Sequence, residues 1–398
     1  MANDVFDIAS DVEVSLYTYA SDVMVWDVSR WNQDNWSSGS ETLDWRAITA
    51  SVSEVSIVNG ISVDQGLTRC GTPSATIIFT DSDYDPFANT TVRSGTPVRI
   101  RVRPNPDTAS TTWVTLFEGK IDSCSASYNN QWVNTVRLDC VTDLRDILNY
   151  TSSVGMTTTV PGYAYEYLAQ INNLADFKEI APASAGNGYL LTGINTTDPV
   201  NFGTIINQLL DANAAALVYR PISVPNPLVP YRYYLSEDLT NVSAMTSQVD
   251  FEAVVTSDPL RADFSEIQIG FNTDQLVNRV TWDTTGGLGP VTLSNASSRA
   301  LLGDLGLDLV TIHNGLETAW AESLARVLPE RQVISITAPM ILRAGQLNEN
   351  LLRDPMDVAS VSVDNAKITI NEKYLISSVT HSMDVDSWNV TFDLWRGR

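Results

Sequence analysis

Lysine is almost missing from this sequence of 398 residues. It occurs only as Lys120, Lys178, Lys367 and Lys373, and the remaining cations are arginines scattered without a basic cluster. With 24 Lys and Arg against 47 Asp and Glu, the formal charge is -23 and the isoelectric point about 4.3. Such a field repels phosphate backbones, so sequence-specific nucleic-acid binding is not expected, whereas a negative wall would keep a passing polyanion from sticking. There is no polybasic patch for a membrane surface, and no apolar run reaches the length that spans a bilayer. Residues 1–20 carry Asp4, Asp7, Asp11 and Glu13 where a secretory signal needs positive charge and then an apolar stretch, so synthesis and folding in the cytoplasm are expected.

Histidine is scarcer still. His313 and His381 stand far apart and outside any HExxH spacing, so structural roles are expected of both. The sequence has no GxSxG elbow, no Walker loop and no GxGxxG after a strand, which removes the commonest hydrolase and nucleotide-binding readings. Cys70, Cys124 and Cys140 are odd in number and unevenly spaced. They match neither a disulfide framework nor a zinc ribbon and read as small buried apolar residues.

A hydrophobic content of 43% supports globular folding, and this length suggests two to three domains. Over residues 1–150 apolar residues recur at every second position: Val12, Val14 and Leu16 share a face, as do Ala75, Ile77 and Phe79. From Pro97 to Arg103, Val98, Ile100 and Val102 alternate with Arg99, Arg101 and Arg103, so one face enters a core and the other carries three guanidinium groups toward solvent or an interface. Trp113 to Tyr128 and Trp132 to Val141 make a long hairpin around Asn129-Asn130-Gln131, after which Thr142 is expected to cap a short helix.

Residues 151–250 change character, with helical spacing over Tyr163 to Leu174 and Phe202 to Leu210. Strands at Ala216 to Arg220 and Arg232 to Leu235 flank the loop PISVPNPLVP, whose Pro225 and Pro227 favour an extended projection. Residues 251–398 return to strands, with Glu266 to Phe271, Val277 to Asp283, Arg331 to Ala338, Lys367 to Asn371, Tyr374 to Met383 and Trp388 to Trp395. One amphipathic helix is expected over 316–328, stopped by Pro329.

Between two of the early strands lies DSDYDP. Asp81, Asp83 and Asp85 alternate, a spacing that lets carboxylates converge on Ca2+ when a turn folds them inward. An EF-hand loop needs Gly at its sixth position and Glu at its twelfth, and neither is present, so a solvated turn is the expectation and these three aspartates are the alternative metal set. Trp26, Trp31 and Trp36 in VMVWDVSRWNQDNW suit either a sugar-stacking platform or a subunit contact; the contact is preferred, because aromatic residues are enriched at interfaces. Paired carboxylates for glycoside hydrolysis are conceivable in so acidic a chain, but no particular pair stands out.

Two stretches resemble each other: KIDSCSASYNNQWVNTVRLDC and YLISSVTHSMDVDSWNVTFDLW. Laying Trp132 on Trp388 matches Thr135 with Thr391, Val136 with Phe392 and Leu138 with Leu394, the mark of an internal duplication.

The succession VSEVSIVNGISVDQGLTRCGTPSATIIFTDSDYDPF, VRSGTPVRIRV, LFEGKIDS and VRLDCVTDLRDIL resembles the opening domain of siphophage minor tail proteins. Later features agree, among them PGYAYEYLAQI, VNFGTIINQLLDANAAALVY, LVNRVTW and ETAWAESLARVL. The resemblance implies the tail-tip or baseplate hub of a long-tailed phage, a β-rich α+β fold with two β-barrel-like tube domains and an inserted α/β region. On that reading residues 1–150 form the first tube domain with its short helix, 151–250 the α/β middle with the Pro-rich loop, and 251–398 the second tube-like domain. It further implies a homotrimer in the virion, at the tail tip, whose three chains present six units to a hexameric tube. Its implied partners are the tail tube, distal tail, tape measure and tip or fibre proteins, with genome DNA passing through the channel during ejection. No catalytic residues and no cofactor come with it. Relatives that append a peptidoglycan-cleaving or host-binding domain continue further, whereas this sequence stops at Arg398, so a scaffold is expected. The alternatives are a tail-tip receptor-binding module and a polysaccharide depolymerase using a carboxylate pair.

Overall fold

The computed structural model describes residues 11–18, 44–48, 52–64, 67–80, 85–86, 92–103, 113–129, 133–152, 162–175, 180–182, 190–191, 199–213, 215–223, 230–234, 239, 242–252, 261–271, 277–283, 290–310, 331–341, 347–364 and 368–396. Its first strands are β1 (Val12–Thr18), β2 (Asp44–Ala47), β3 (Val52–Gly60), β4 (Ser62–Asp64), β5 (Leu67–Arg69), β6 (Ser74–Phe79), β7 (Pro97–Val102), β8 (Val114–Tyr128) and β9 (Val133–Val141). A middle stretch holds β10 (Gly162–Tyr163), β11 (Ile180–Pro182), β12 (Leu190–Leu191), β13 (Ala216–Tyr219) and β14 (Tyr231–Tyr234). Then come β15 (Val249–Glu252), β16 (Arg261–Ala262), β17 (Glu266–Phe271), β18 (Arg279–Asp283), β19 (Pro290–Ser294), β20 (Gly306–Val310), β21 (Arg331–Pro339), β22 (Val358–Asp364), β23 (Thr369–Asp384) and β24 (Trp388–Trp395).

Fourteen of these strands form one sheet, and its topology contains the same motif twice. Strands β3-β6-β9-β8-β7 lie side by side in that order, every neighbouring pair antiparallel. Strands β17-β21-β24-β23-β22 repeat both the order and the directions. In each set the chain visits the five positions in the same sequence, so the motif is duplicated at the level of topology.

The correspondence reaches single hydrogen bonds. Gly95 N–H donates to Ile121 O at 2.7 Å and Ile121 N–H to Thr96 O at 2.9 Å, while Met356 N–H donates to Ile376 O at 2.7 Å and Ile376 N–H to Asp357 O at 2.9 Å. Gly95 and Met356 share a positive φ, 90° and 72°, a conformation that costs glycine nothing and strains methionine. Both hairpins carry a bulge at the same place, between Ile121 and Ser123 and between Ile376 and Ser378. Ser53 Oγ donates to Ile78 O, and its counterpart Ser265 Oγ to Thr337 O, each at 3.0 Å. The pairings set β24 against β9 with Phe392 at the place of Leu138 and Val390 at that of Val136. The sequence match of Trp132 with Trp388 is thus two residues out of step over Val136 and Leu138, and beyond the irregularity between Ser127 and Tyr128 it is Val133 that stands opposite Tyr128, as Trp388 stands opposite Met383. Because side chains alternate with period two, the shift left inward residues on inward ones. Trp132 itself lies outside the described residues.

One strand joins the two halves. The first part of β23 pairs with β22, and beyond the bulge the same edge pairs with β3, from Ser378 opposite Gly60 to Asp384 opposite Glu54, while β24 lies along the other edge. Only glycine fits at position 60, since an added Cβ would stand 2.5 Å from Ser378 Cβ. The sequence suggested two strands here, Lys367 to Asn371 and Tyr374 to Met383; there is one of 16 residues. The alternation lapses because Tyr374, Leu375, Ile376 and Ser377 are all buried, with both faces of the strand covered at that point. A continuous apolar core runs under both halves, from Val14, Ile57, Ile77 and Leu138 to Ile336, Val361, Val379 and Phe392.

The middle stretch packs the helices Leu144–Asn149, Ala164–Ala175 and Phe202–Asn213 against a three-stranded sheet ordered β11-β14-β13. Tyr167, Ile171, Phe202, Ile206 and Leu209 form its core with Tyr231 and Tyr233. The first of these helices is capped at Asp143, whose side chain makes no cap bond, and Thr142 sits one residue upstream rather than capping it. A small unit of β18, β19 and β20 with the helix Ala296–Leu302 is inserted between β17 and β21, and buried Asn278 ties it together through bonds to Gly303 O and from Leu305 N–H. Residues 316–328 and His313 lie outside the described residues.

Candidate interface surfaces

The outer face of β7 is built from alternation alone: Val98, Ile100 and Val102 fill the core, which leaves the three arginines on the other side. There they are organised rather than free. Glu13 on β1 lies opposite Arg101 and accepts from its Nε at 3.0 Å, with Arg99 Nη2 at 3.7 Å. Burial would raise the Glu13 carboxyl, but bonds from Ser15 and Arg101 and the charges of Arg101 and Arg99 hold it below its usual range. The guanidinium of Arg99 sits 4.3 Å from the Trp45 ring centroid, and those of Arg101 and Arg103 sit 5.5 and 5.9 Å from that of Trp113. Each such contact contributes ~0.5–1 kcal/mol. Trp45 in turn packs on Tyr17 at 5.2 Å. Sequence reasoning found the arginines but neither tryptophan partner, because each comes from a different segment and is brought in only by sheet pairing.

Of the acidic loop, Asp85 is described: it is buried, and both carboxylate oxygens accept from Tyr128 Oη at 2.9 Å. Asp85 is therefore fastened to the tip of β8. Asp81 and Asp83 lie outside the described residues, and among those described no group of three or more His, Cys, Asp or Glu is placed to hold a metal ion. Trp26, Trp31, Trp36, Pro225 and Pro227 also lie outside the described residues.

Sequence reasoning missed a buried charged cluster where the Pro-rich loop leaves β13. Asp354, fully buried, accepts from the N–H groups of Ser223 at 2.6 Å and Ile222 at 3.4 Å. Arg220 donates to Asp357 and to Tyr234 Oη, and Asp354 N–H donates to Asp357 at 3.2 Å. Burial pushes the Asp354 carboxyl up to about 6, although Arg220 and the Ser223 amide oppose the rise. Burial likewise lowers Arg353 beside it. The cluster fastens the middle stretch to the segment leading into β22, and beside it Val218, Met356, Val358, Leu375 and Trp395 share one apolar contact.

Among the described residues, one histidine and three cysteines remain to be placed. His381 is buried, with Nδ1 accepting from Trp388 Nε1 at 3.3 Å, and burial lowers its pKa to about 4. The three cysteines are free thiols: Cys140 is buried as expected, whereas Cys70 and Cys124 keep some exposure. Burial pushes the Cys70 thiol up to about 12 and raises Cys140 as well, so neither is a poised nucleophile.

No protein-family model matches the chain, and no curated protein matches it in sequence. Solved structures do. A tail protein from Neisseria meningitidis MC58 superposes with a TM-score of 0.57 over 96% of this chain and 95% of its own, at 11% identity. The 43 kDa tail protein of prophage MuSo2 from Shewanella oneidensis gives 0.56 over 96% and 98%, also at 11% identity. The E. coli c3393 protein, a type VI secretion component described as similar in structure to T4 bacteriophage tail proteins gp27 and gp5, gives 0.51 over 87% and 74%, at 11% identity. Across nearly its whole length, this chain has the β-rich fold of phage tail proteins.

Proposed function

We propose that the chain is a structural protein of the virion, a trimeric hub at the tail tip that joins or closes the tail tube and anchors other tip proteins around the DNA channel. The observation that carries this reading is the duplicated five-strand motif within one sheet. A chain with two alike modules gives six quasi-equivalent units in a trimer and meets a sixfold tube without a symmetry mismatch. Composition supports it: the net charge of -23 suits the wall of a passage for DNA. The outward rows Ser123, Ser125, Ser127 and Ser378, Thr380, Ser382 add polar surface without cations. On this reading the protein is a scaffold and not an enzyme, and the tube, distal tail, tape measure and fibre proteins are its neighbours. Class averages of tail tips from particles carrying a tagged copy test the proposal. A threefold ring coaxial with the tube is expected; a single copy on the axis, or a tag on the tube wall or capsid, would refute it.

A further inference from the structure

The joint between β3 and β23 has a vacant twin. In the duplicated motif β17 stands where β3 stands, and β8 stands where β23 stands. Yet among the described strands β17 pairs only with β21, and the edge of β8 that carries β7 pairs with no strand past Lys120, where it meets only the 94–96 turn, through Gly95 and Thr96 at Ile121 and Ser94 Oγ at the Asp122 carbonyl. Among the described strands the joint is made once, and its two complementary edges are each left over once.

Burial marks the same residues. At the made joint, Val55, Ile57, Val379, His381 and Met383 are buried. Their counterparts are Ile267, Ile269, Cys124, Ala126 and Tyr128. The first four point at the core but stay partly exposed, and Tyr128 is 54% exposed. Apolar side chains repeat where the covering strand is lacking. The charges fit better at the second joint than at the first, where Asp384 faces Glu54. There Asn129 replaces the aspartate opposite Glu266, and the like-charge pair disappears.

We propose that β17 of one copy pairs antiparallel with β8 of the next, in the register inherited from the internal joint: Phe271 with Cys124, Gly270 with Ser125, Ile269 with Ala126, Gln268 with Ser127, Ile267 with Tyr128 and Glu266 with Asn129. The contact is heterologous, each copy offering one edge and receiving the other, so three copies close into a ring when the internal and external joints together turn the chain by about 120°, and the ring is quasi-sixfold when the two turns are equal. Asp85, bonded to the Tyr128 hydroxyl, would then steady the tip of the receiving strand. This rests on the hub reading for the number of copies but not for the strands and register.

Engineered disulfides read the register directly, because opposed Cβ atoms in an antiparallel pair lie within reach of a disulfide and residues two positions out do not. In a Cys124→Ala background, Ser127→Cys with Gln268→Cys is compared with the out-of-register pair Ser127→Cys with Glu266→Cys. Ser56→Cys with Ser382→Cys, opposed at the internal joint, is the positive control and should link within one chain. Mild oxidation of the full chain is expected to link copies through the 127–268 pair at least tenfold more than through the 127–266 pair, in a ladder on denaturing gels that ends at three. A ladder ending at another number supports the pairing and overturns the trimer. A trimer by native mass in which neither pair links while the control does overturns the pairing and leaves the trimer standing. A protein that stays monomeric at every concentration overturns both.

Discussion

Two buried groups set opposing pH responses, and separating them is the sharpest test of the interior. His381 lies in the seam of the sheet, opposite Ile57 on one side and Val390 on the other. Burial lowers its pKa from 6.5 to about 4. Between these values the unfolded chain binds a proton that the folded chain refuses, so the stability is full above pH 6.5 and falls as pH drops toward 4. A gap of about 2.5 pH units at about 1.4 kcal/mol each makes the loss about 3 kcal/mol. Asp354 acts in reverse, since burial raises its carboxyl from 3.8 to about 6. As pH falls through 6 toward 3.8 the folded chain takes up the proton first, which adds about 3 kcal/mol. The two terms nearly cancel in the native protein. In His381→Gln the urea midpoint, followed by tryptophan fluorescence from pH 7 to 4, should therefore rise with acid relative to the native protein. In Asp354→Asn it should fall. The two variants should diverge by about 6 kcal/mol across the range. Parallel curves for all three proteins would refute the reasoning, because the other carboxylates are common to them.

Three further outcomes follow from the packing. Gly60→Ala should cost several times more than Gly95→Ala: the first drives a methyl into Ser378 and the Ser377 carbonyl, while the second meets nothing within 4 Å and pays only for its φ of 90°. About 1 kcal/mol is expected for Gly95→Ala and about 3 kcal/mol for Gly60→Ala, read as shifts in the denaturation midpoint. Arg220→Ala leaves buried Asp354 and Asp357 without the cation that bonds Asp357, with Arg353 still nearby, and should cost about 3 kcal/mol, with part of the loss recovered when Asp357→Asn is added; no recovery would mean that charge is not what Arg220 supplies. Trp45→Ala should destabilise by ~1–2 kcal/mol through lost contact with Arg99 and Tyr17, and Arg99→Met in the same background should add little, as a double-mutant cycle would check.

What was legible in the sequence followed the β-period. Val98, Ile100 and Val102 went inward and their arginine neighbours outward, Glu266 to Phe271 and Trp388 to Trp395 form strands over those spans, and the hairpin around Asn129 is where the turn residues put it. The repeat was visible because two long hairpins keep an inward row, but its register slipped by two, since alternation fixes the face of a residue and not its partner. β22 was missed as a strand although its residues alternate, because VASVSVD has no aromatic residue and follows a loop closed by Met356 at positive φ. The Arg220 cluster was illegible for a different cause: its members come from segments more than 130 residues apart, and no local pattern distinguishes Asp354 from the many surface aspartates of so acidic a chain.

The joint between β3 and β23 also sets a timetable for biosynthesis. On the edge away from β6, residues 54–60 find their neighbour in residues 378–384, so an early strand must wait with that edge bare until the distant β23 has left the ribosome. Such distant pairing is slow, and a waiting edge is open to capture by other nascent chains. The middle stretch, whose helices and short strands are close in sequence, can fold during that delay and hold Asn59 through the Tyr219 carbonyl. Maturation would then proceed from the centre of the molecule outward, with the β23–β24 hairpin as the step that closes the sheet.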